Sequence, residues 1–147
     1  MEGFVCKICG FISIDGATPD KCPVCGAPKG SFEMKQDAIK IPKDVNNLTE
    51  LEKKHIPVIT LVKKCGLIPE GCQDVQVKMG EIQHPMLAEH SIVHIDFYID
   101  KKFISRVILT PDKLNPAAAL HLKVTNGKLA VIELCNIHGA WIKETDL

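Results

Sequence analysis

The feature that most constrains this chain is a pair of Cys-x-x-Cys-Gly segments near its N-terminus. The segments read CKICG and CPVCG, and they place Cys6, Cys9, Cys22 and Cys25 in two pairs separated by twelve residues. Each segment lets two thiolates bind one ion while backbone N–H groups point at the sulfur atoms. Four thiolates around one ion form a tetrahedral site for zinc or iron. We therefore expect residues 1–35 to fold around a metal, because so short a module cannot build a sufficient apolar core.

Composition limits the partners and the cellular location of the chain. Its 147 residues include 18 basic and 18 acidic side chains, so the formal net charge is zero. This balance gives no reason to expect a nucleic-acid partner, because such binding depends on excess Lys and Arg. No secretory pattern opens the sequence, and no apolar run approaches the ~18 residues of a membrane helix. We expect a cytoplasmic protein without membrane contact, in which seven cysteines favour metal or redox chemistry over disulfides.

The remainder of the chain is predicted to be a linker over residues 36–50 and a second domain over residues 51–147. The linker is polar and lacks apolar periodicity, whereas the second domain contains short stretches of period two between turn residues. This pattern predicts a mainly β chain whose second domain is an antiparallel β sandwich. The predicted strands are 56–62, 74–79, 90–100 and 103–110, followed by a hairpin over 120–134 with a type I′ turn at Asn126-Gly127.

A short helical turn is expected just before the first of these strands. Thr49-Glu50-Leu51-Glu52 fits a capping box, in which the first and fourth residues satisfy each other's backbone N–H groups. Pro57 would end that helix soon after His55.

A second candidate metal site begins with CNIHGAW near the C-terminus, where Cys135 and His138 stand three residues apart. The four N-terminal cysteines complete their own site, so this pair needs partners within the second domain. The available histidines are His55, His84, His90, His94 and His121. A blue-copper site needs two His, one Cys and often an axial Met. No Met follows Cys135, so copper is disfavoured.

Two parts of the sequence resemble known families. FVCKICGFI and CPVCGAPKGSFE, within the first 35 residues, resemble the rubredoxin-like module attached to rubrerythrins, which implies one iron in an Fe(Cys)4 site. A zinc ribbon shares both Cys-x-x-Cys pairs, so zinc stays open there. KKHIP, VKMGEIQHPMLAEHSI and CNIHGAW together resemble the iron-binding motifs of the superoxide reductase family, which includes desulfoferrodoxins and neelaredoxins, over roughly residues 48–147.

The second resemblance implies an immunoglobulin-like sandwich around a mononuclear non-haem iron. The implied ligands are His55, His84, His90 and His138, with the Cys135 thiolate in the axial position. Imidazoles suit Fe(II), and five protein ligands leave one octahedral position open for superoxide. His94 and His121 match no ligand motif, so we interpret both as non-ligands.

The implied activity is the one-electron reduction of superoxide to hydrogen peroxide, with the Fe(Cys)4 centre as electron relay. A rubredoxin or an NAD(P)H:rubredoxin-type reductase is the implied donor, and a homodimer or higher homo-oligomer the implied assembly. The sequence has no Gly-x-Gly-x-x-Gly motif, so the chain is not expected to bind a nicotinamide itself. Two alternatives remain: a non-enzymatic iron electron-transfer protein, and a zinc ribbon joined to an immunoglobulin-like binding module.

The sequence departs from the family pattern just before the first histidine ligand. Family members commonly carry Glu-Lys at that place, whereas here the run is Glu52-Lys53-Lys54-His55. Lys54 matches the lysine that attracts the superoxide anion. Lys53 replaces the glutamate that can cap the iron, so Glu52, one residue earlier, is the remaining candidate. We therefore predict Lys54 and Glu52 as catalytic residues.

A second departure is the stretch KKCGLIPEGCQDV between the first two histidine motifs, which is longer than the usual connection in the family. It contains Cys65 and Cys72. In a reducing compartment these thiols are predicted to be inert, with a redox-switchable disulfide as the alternative. Neither is predicted to be a metal ligand.

Overall fold

The computed structural model describes residues 1–68 and 70–147. Within them the chain forms eleven strands, one short α helix and two 3-10 turns, at Lys29–Ser31 and Pro111–Lys113. The strands and the helix are β1 (Gly3–Cys6), β2 (Ile12–Ser13), β3 (Phe32–Lys35), β4 (Ile39–Lys40), α1 (Glu50–His55), β5 (Pro57–Val62), β6 (Gln73–Met79), β7 (Ile92–Ile99), β8 (Lys102–Ile108), β9 (Ala117–Leu122), β10 (Lys128–Cys135) and β11 (Gly139–Asp146). No helix in the described part of the chain is long and apolar enough to cross a membrane.

Two sheets form the sandwich that the sequence predicts. One sheet has the strand order β4-β11-β10-β7-β8, and the other has the order β5-β6-β9. All pairs are antiparallel except that between β4 and β11. Alternate residues of β6, among them Val75, Val77 and Met79, are buried in the core between the sheets. The prediction of a mainly β chain with a small N-terminal module and a sandwich is confirmed.

The N-terminal module forms a third layer on the larger sheet. Its own small sheet has the order β2-β1-β3. Phe11 and Ile12 of the module share a buried cluster with Tyr98, Ala130 and Ile132 of the larger sheet. The Tyr98 hydroxyl donates a 2.7 Å hydrogen bond to the Ile12 carbonyl oxygen. Both faces of the larger sheet are therefore buried, which explains why β10 is buried along nearly its whole length rather than at alternate positions.

The segment predicted as a linker, residues 36–50, contains β4. Ile39 and Lys40 pair with Ala140 and Trp141 of β11, and the Ile39 side chain is buried. The terminal amino group of Met1 donates to the Ile39 carbonyl oxygen at 2.6 Å. Part of this segment is thus built into the sheet, and its division from the two flanking domains stays a prediction.

The predicted hairpin over residues 120–134 is wrong. β9 pairs with β6 in the smaller sheet, whereas β10 pairs with β7 and β11 in the larger one. The chain therefore crosses between the sheets near Asn126-Gly127, and only Gly127 has a positive φ there. Asp100 and Lys101, between β7 and β8, both have positive φ, at 49° and 67°. The β7–β8 hairpin therefore has the two successive positive φ angles that a type I′ turn requires.

A buried ion pair joins the larger sheet to the N-terminal module. Arg106, the single arginine of the sequence, donates to both carboxylate oxygens of Asp96 at 2.6 Å and to the Cys9 carbonyl oxygen at 2.7 Å. Burial raises the pKa of Asp96, and the hydrogen bonds from Arg106 oppose that shift. The two hydrogen bonds from Arg106 therefore offset the cost of removing the Asp96 carboxylate almost completely from water.

Replacing the arginine should destabilise the fold strongly. Arg106→Leu leaves Asp96 buried without its partner, which should lower the free energy of unfolding by about 3–5 kcal/mol. The exposed Lys102→Leu on the same strand should change it by less than about 0.5 kcal/mol. Denaturant unfolding followed by Trp141 fluorescence, at constant metal content, measures both. The double variant Asp96→Leu/Arg106→Leu should recover much of the loss, and a mild Arg106→Leu phenotype would contradict this account.

Candidate metal centres

Five side chains converge in the second domain, where α1, the β6–β7 connection and the β10–β11 hairpin meet. One possible ligand atom from each residue lies within 4.8 Å of those of the others. The five residues are His55, His84, His90, Cys135 and His138. Every ligand that the sequence implied for the second site is therefore part of one group. The cluster is consistent with a mononuclear iron centre of four imidazoles and one thiolate.

Helix α1 positions His55 through its capping box. The Thr49 hydroxyl accepts from the Glu52 backbone N–H at 3.3 Å, and the Glu52 carboxylate accepts from the Thr49 N–H at 2.7 Å. His55, in the last turn, contacts the Leu51 carbonyl oxygen through Nδ1 at 2.7 Å. A carbonyl oxygen can only accept, so Nδ1 carries the hydrogen and Nε2 keeps its lone pair. That orientation presents Nε2 of a buried imidazole as a metal ligand.

The connection after β6 brings His84 against His55. Gly80 has φ of +79°, and a Cβ at this position would clash with the backbone carbonyl oxygens of Lys53, Lys54 and Ile82. Only glycine therefore lets the connection pass so close to the end of α1. His84 donates from Nδ1 to the Pro85 carbonyl oxygen at 2.7 Å, and its Nε2 lies 3.1 Å from the Nε2 of His55.

The β10–β11 hairpin supplies two further donors, Cys135 and His138. Cys135 pairs with Gly139 at the end of the strands, and Gly139 has φ of +77°. His138, in the turn, has its Nδ1 3.6 Å from the Cys135 sulfur, and its backbone N–H donates to that sulfur at 3.5 Å. Burial raises the pKa of the Cys135 thiol, and the backbone N–H groups of the turn oppose this. A bound cation would favour the thiolate further.

The protonation and the hydrogen bonding of these histidines fit a bound metal ion. Burial, together with the charges of neighbouring side chains, lowers the pKa of His55 and of His84 to about 4. Both imidazoles are therefore neutral at pH 7, and their two Nε2 lone pairs face each other across 3.1 Å. Nε2 of His90 is buried and has no hydrogen-bond partner among the described residues. A cation among these nitrogen atoms satisfies all three at once, and imidazole plus thiolate suits iron.

Lys40 of β4 is a residue near this group that the sequence analysis missed. Its Nζ lies 5.5 Å from the centroid of the Trp141 ring, which itself stacks on His55 at 5.3 Å. After burial and the charge of His90, the charge of Lys40 is a further cause of the lowered pKa of His138. No local pattern could identify Lys40, since the parallel pairing of β4 with β11 is what brings it here.

The two residues predicted as catalytic lie in α1. The Glu52 carboxylate is buried and accepts hydrogen bonds from the Thr49 backbone and hydroxyl and from the Lys43 backbone N–H. Its partners in this structure are thus those of a helix cap, and a role as a cap on the iron stays a prediction. Lys54 is half-buried in the last turn, next to His55 in sequence.

The four N-terminal cysteines form a second group. Their sulfur atoms all lie within 4.8 Å of one another, with Cys9 and Cys22 at 3.5 Å and Cys6 and Cys25 at 3.7 Å. In each Cys-x-x-Cys-Gly segment the glycine N–H donates to the carbonyl oxygen of the first cysteine at 2.9 Å. The backbone N–H of Ala27 is the main cause that lowers the pKa of Cys25 to about 7. This group is consistent with a mononuclear Fe(Cys)4 centre, and its donors alone do not exclude zinc.

β10 separates the two groups. Cys135 packs in the core between the sheets, whereas Leu134 packs against the cluster under the N-terminal module. A Cβ on Gly10, next to Cys9, would lie 3.6 Å from Leu134 Cδ2 and 3.7 Å from His94 Cε1. The backbone beside one candidate centre therefore lies close to the residue that precedes a ligand of the other, and Cys9 and Leu134 pack against the same cluster.

The chain matches two known families. Residues 47–144 match the family described as Desulfoferrodoxin, and residues 4–33 match the rubredoxin-like domain of rubrerythrin. A superoxide reductase of Pyrococcus abyssi is 38% identical over 106 residues, covering 65% of this chain and 88% of that protein. A desulfoferrodoxin of Syntrophotalea carbinolica is 28% identical over 145 residues, covering 98% of this chain and 96% of that protein.

A solved structure supports the fold along almost the whole chain. The superoxide reductase from Treponema pallidum superposes with a TM-score of 0.57 at 20% identity, covering 95% of this chain and 98% of that one. At this identity the likeness concerns the fold alone.

The buried histidines should titrate far below the ordinary value in metal-free protein. Nitrogen-15 NMR should give a pKa near 4 for His55 and His84, whereas His121, whose pKa is raised by Cys65 and Asp74, should titrate above 6.5. The unfolded chain then binds more protons than the folded one between about pH 6.5 and pH 4. Stability of the metal-free protein should therefore fall as the pH falls through this window. Titration of His55 near 6.5 would contradict the described burial.

Proposed function

Because the chain belongs to the desulfoferrodoxin family, we propose that it is a superoxide reductase that converts superoxide to hydrogen peroxide. The reaction takes one electron from an external donor and two protons from solvent, and it releases no dioxygen. The convergence of four imidazoles and one thiolate in the second domain is the observation that carries this proposal. Iron held there supplies the electron, and the protein sets its access and surroundings.

The proposed ligands are His55, His84, His90, His138 and the Cys135 thiolate. The Leu51 and Pro85 carbonyl oxygens hold two of the imidazoles in the tautomer that leaves Nε2 free. This fixes the rings before a metal arrives and increases their basicity. The backbone N–H of His138 stabilises negative charge on the Cys135 sulfur.

We propose that the lysines at the end of α1 and on β4 attract the substrate. Superoxide is an anion, and cations beside the path to a reactive centre raise the rate of encounter. We propose this role for Lys54 because it matches the lysine of the family pattern, and for Lys40 because its side chain lies over Trp141. Glu52 as a carboxylate that reaches the iron belongs to the same proposal, but it requires the capping box of α1 to open.

The N-terminal Fe(Cys)4 centre is proposed to relay electrons within the chain. Cys9 and Leu134 pack against the same buried cluster, and this supports a short route from Cys9 to Cys135 across β10. Cys25 is the exposed member of the four cysteines, so a donor protein would meet the module at this edge. A rubredoxin or an NAD(P)H:rubredoxin-type reductase fits that role.

We also propose a cellular location, an oligomeric state and a domain division for this chain. Cytoplasmic location is favoured by Cys65 and Cys72, which are free thiols in the structure. A homodimer or higher homo-oligomer is carried over from the resemblance to the family. The domain division at residues 35 and 51 is likewise proposed, with both domains sharing one buried cluster.

The activity can be tested on the full-length chain, reduced without oxygen and with iron in both centres. A pulse of superoxide should oxidise the second-domain iron and yield about one hydrogen peroxide per iron without dioxygen. Cys135→Ser should remove the thiolate-to-iron absorption of that centre and slow the oxidation strongly. Cys65→Ser, which changes a thiol outside both iron groups, should leave both unchanged. If superoxide does not oxidise this iron, the protein is instead an electron carrier. If the purified protein contains no iron, it is a zinc ribbon joined to a binding module.

The two lysines should affect the encounter rate rather than the iron. Lys40→Met and Lys54→Met should each lower the second-order rate with superoxide by up to about 10-fold at low ionic strength. The difference should shrink as salt screens the charges. Lys113→Met, an exposed lysine after β8, is the matched control and should leave the rate unchanged. A loss that does not depend on salt would contradict electrostatic attraction as the cause.

A further inference from the structure

A third group of potential metal ligands lies outside both iron groups. Its members are Cys65, Cys72, Asp74 and His121, and one ligand atom of each lies within 4.8 Å of those of the others. From the sequence, the two cysteines are predicted to be inert or disulfide-forming, and His121 is predicted to be a non-ligand. We propose that these four residues form a third metal site, which takes a zinc-class divalent cation in a tetrahedral, structural role.

Strand pairing builds half of this site. Asp74 of β6 and His121 of β9 are directly opposite each other in the smaller sheet. The neighbours of Asp74 in β6, Gln73 and Val75, are buried, so the Asp74 side chain projects from the outer face of the sheet. Nδ1 of His121 lies 2.7 Å from the Asp74 carboxylate. An oxygen ligand and a nitrogen ligand are thus held together by the register of two strands.

The β5–β6 connection adds the two sulfur atoms. The Cys65 sulfur lies 3.0 Å from Nδ1 of His121, and the Cys72 sulfur lies 3.9 Å from the same nitrogen and from the Asp74 carboxylate. The backbone N–H groups of Leu67 and Ile68 donate to the Cys65 sulfur at 3.4 and 3.3 Å. N–H groups two and three residues after a cysteine that point at its sulfur favour the thiolate that a metal requires.

Hydrogen bonds from His121 cannot reach all the neighbours of its Nδ1 at once. Nδ1 of His121 has three polar neighbours, namely two sulfur atoms and one carboxylate oxygen, and the Cys72 thiol itself is placed to donate to that carboxylate. An imidazole nitrogen carries at most one hydrogen, so at most one of the three receives a good hydrogen bond. A cation between the four groups would replace that hydrogen and attract all four donors. The same logic explains why Cys, His and Asp recur together as metal ligands.

The chemistry of the donors selects the metal. Zinc accepts thiolate, imidazole and carboxylate in a tetrahedron, whereas calcium and magnesium require oxygen ligands. Copper(I) prefers an all-sulfur environment, which the Asp74 carboxylate does not provide. Four protein ligands leave no tetrahedral position open, which is typical of a structural site.

The site is separate from the iron centre of the second domain. Asp74 pairs with Val62 at one end of β5, whereas Pro57, two residues after His55, pairs with Met79 at the other end. Six strand residues span about 17–20 Å at ~3.3 Å per residue. The inferred role of the metal is therefore to fasten the β5–β6 connection to the outer face of the sheet.

Native mass spectrometry of the full-length chain with iron in both other centres tests the proposal. After reduction with a phosphine and addition of micromolar zinc, we expect two irons and one zinc per chain. Loss of outer-sphere partners lowers metal affinity by roughly 10–100-fold, so His121→Ala or Cys72→Ser should lower zinc affinity by at least ~100-fold. Asp74→Asn should weaken binding, and Asp112→Asn, an exposed carboxylate elsewhere, should not.

A second readout separates binding at this site from binding elsewhere. Zinc should slow amide hydrogen exchange of Leu67 and Ile68, whose N–H groups donate to Cys65. His121 is partly exposed on the outer face, so His121→Ala should keep the fold and both iron spectra. Three outcomes would overturn the proposal: no zinc beyond two irons, zinc that binds equally to the variants, or zinc that enters only by displacing iron. A Cys65–Cys72 disulfide that survives the phosphine, seen as a loss of two hydrogens in mass, would also overturn it.

Discussion

Burial of both faces of the five-stranded sheet is the constraint on which the rest of the structure depends. One face packs on the smaller sheet and the other packs on the N-terminal module. The sheet therefore has to tolerate a buried ion pair, Asp96 with Arg106, where the module reaches the β7–β8 strands. It also holds Cys135 rigidly, since the strand that ends in this residue cannot shift without disturbing two cores at once.

The sequence predicted most reliably what is encoded over a few residues. The capping box before His55 and the two Cys-x-x-Cys-Gly segments depend on local geometry, and both are present in the structure. Short strands with one exposed face, such as β6, were also predicted closely because their side chains alternate. The grouping of the histidine and cysteine motifs came from resemblance to a family, since no spacing along the chain reveals which motifs meet.

The failures share one physical cause, which is pairing between distant segments. β11 is buried at three successive positions and shows no simple alternation, so it was not predicted as a strand. β4 exists only because it pairs with β11, and Lys40 is near the iron group for the same reason. Asn126-Gly127 suggested a hairpin, yet the flanking strands satisfy their backbone groups in different sheets. Asp74 and His121 meet through the register of β6 and β9, which residue types alone do not specify.

The docking of the N-terminal module on β10 changes how electron supply should be understood. A module on a flexible tether would deliver electrons at a rate set by its effective concentration near the acceptor, and linker length would tune that rate. Here Phe11 and Ile12 are fixed in a cluster shared with Tyr98, and no search by diffusion is needed. The separation between the two metal groups is then a constant of the fold. The rate of electron supply in the cell would then vary with the encounter between the chain and its external donor, not with motion inside the chain.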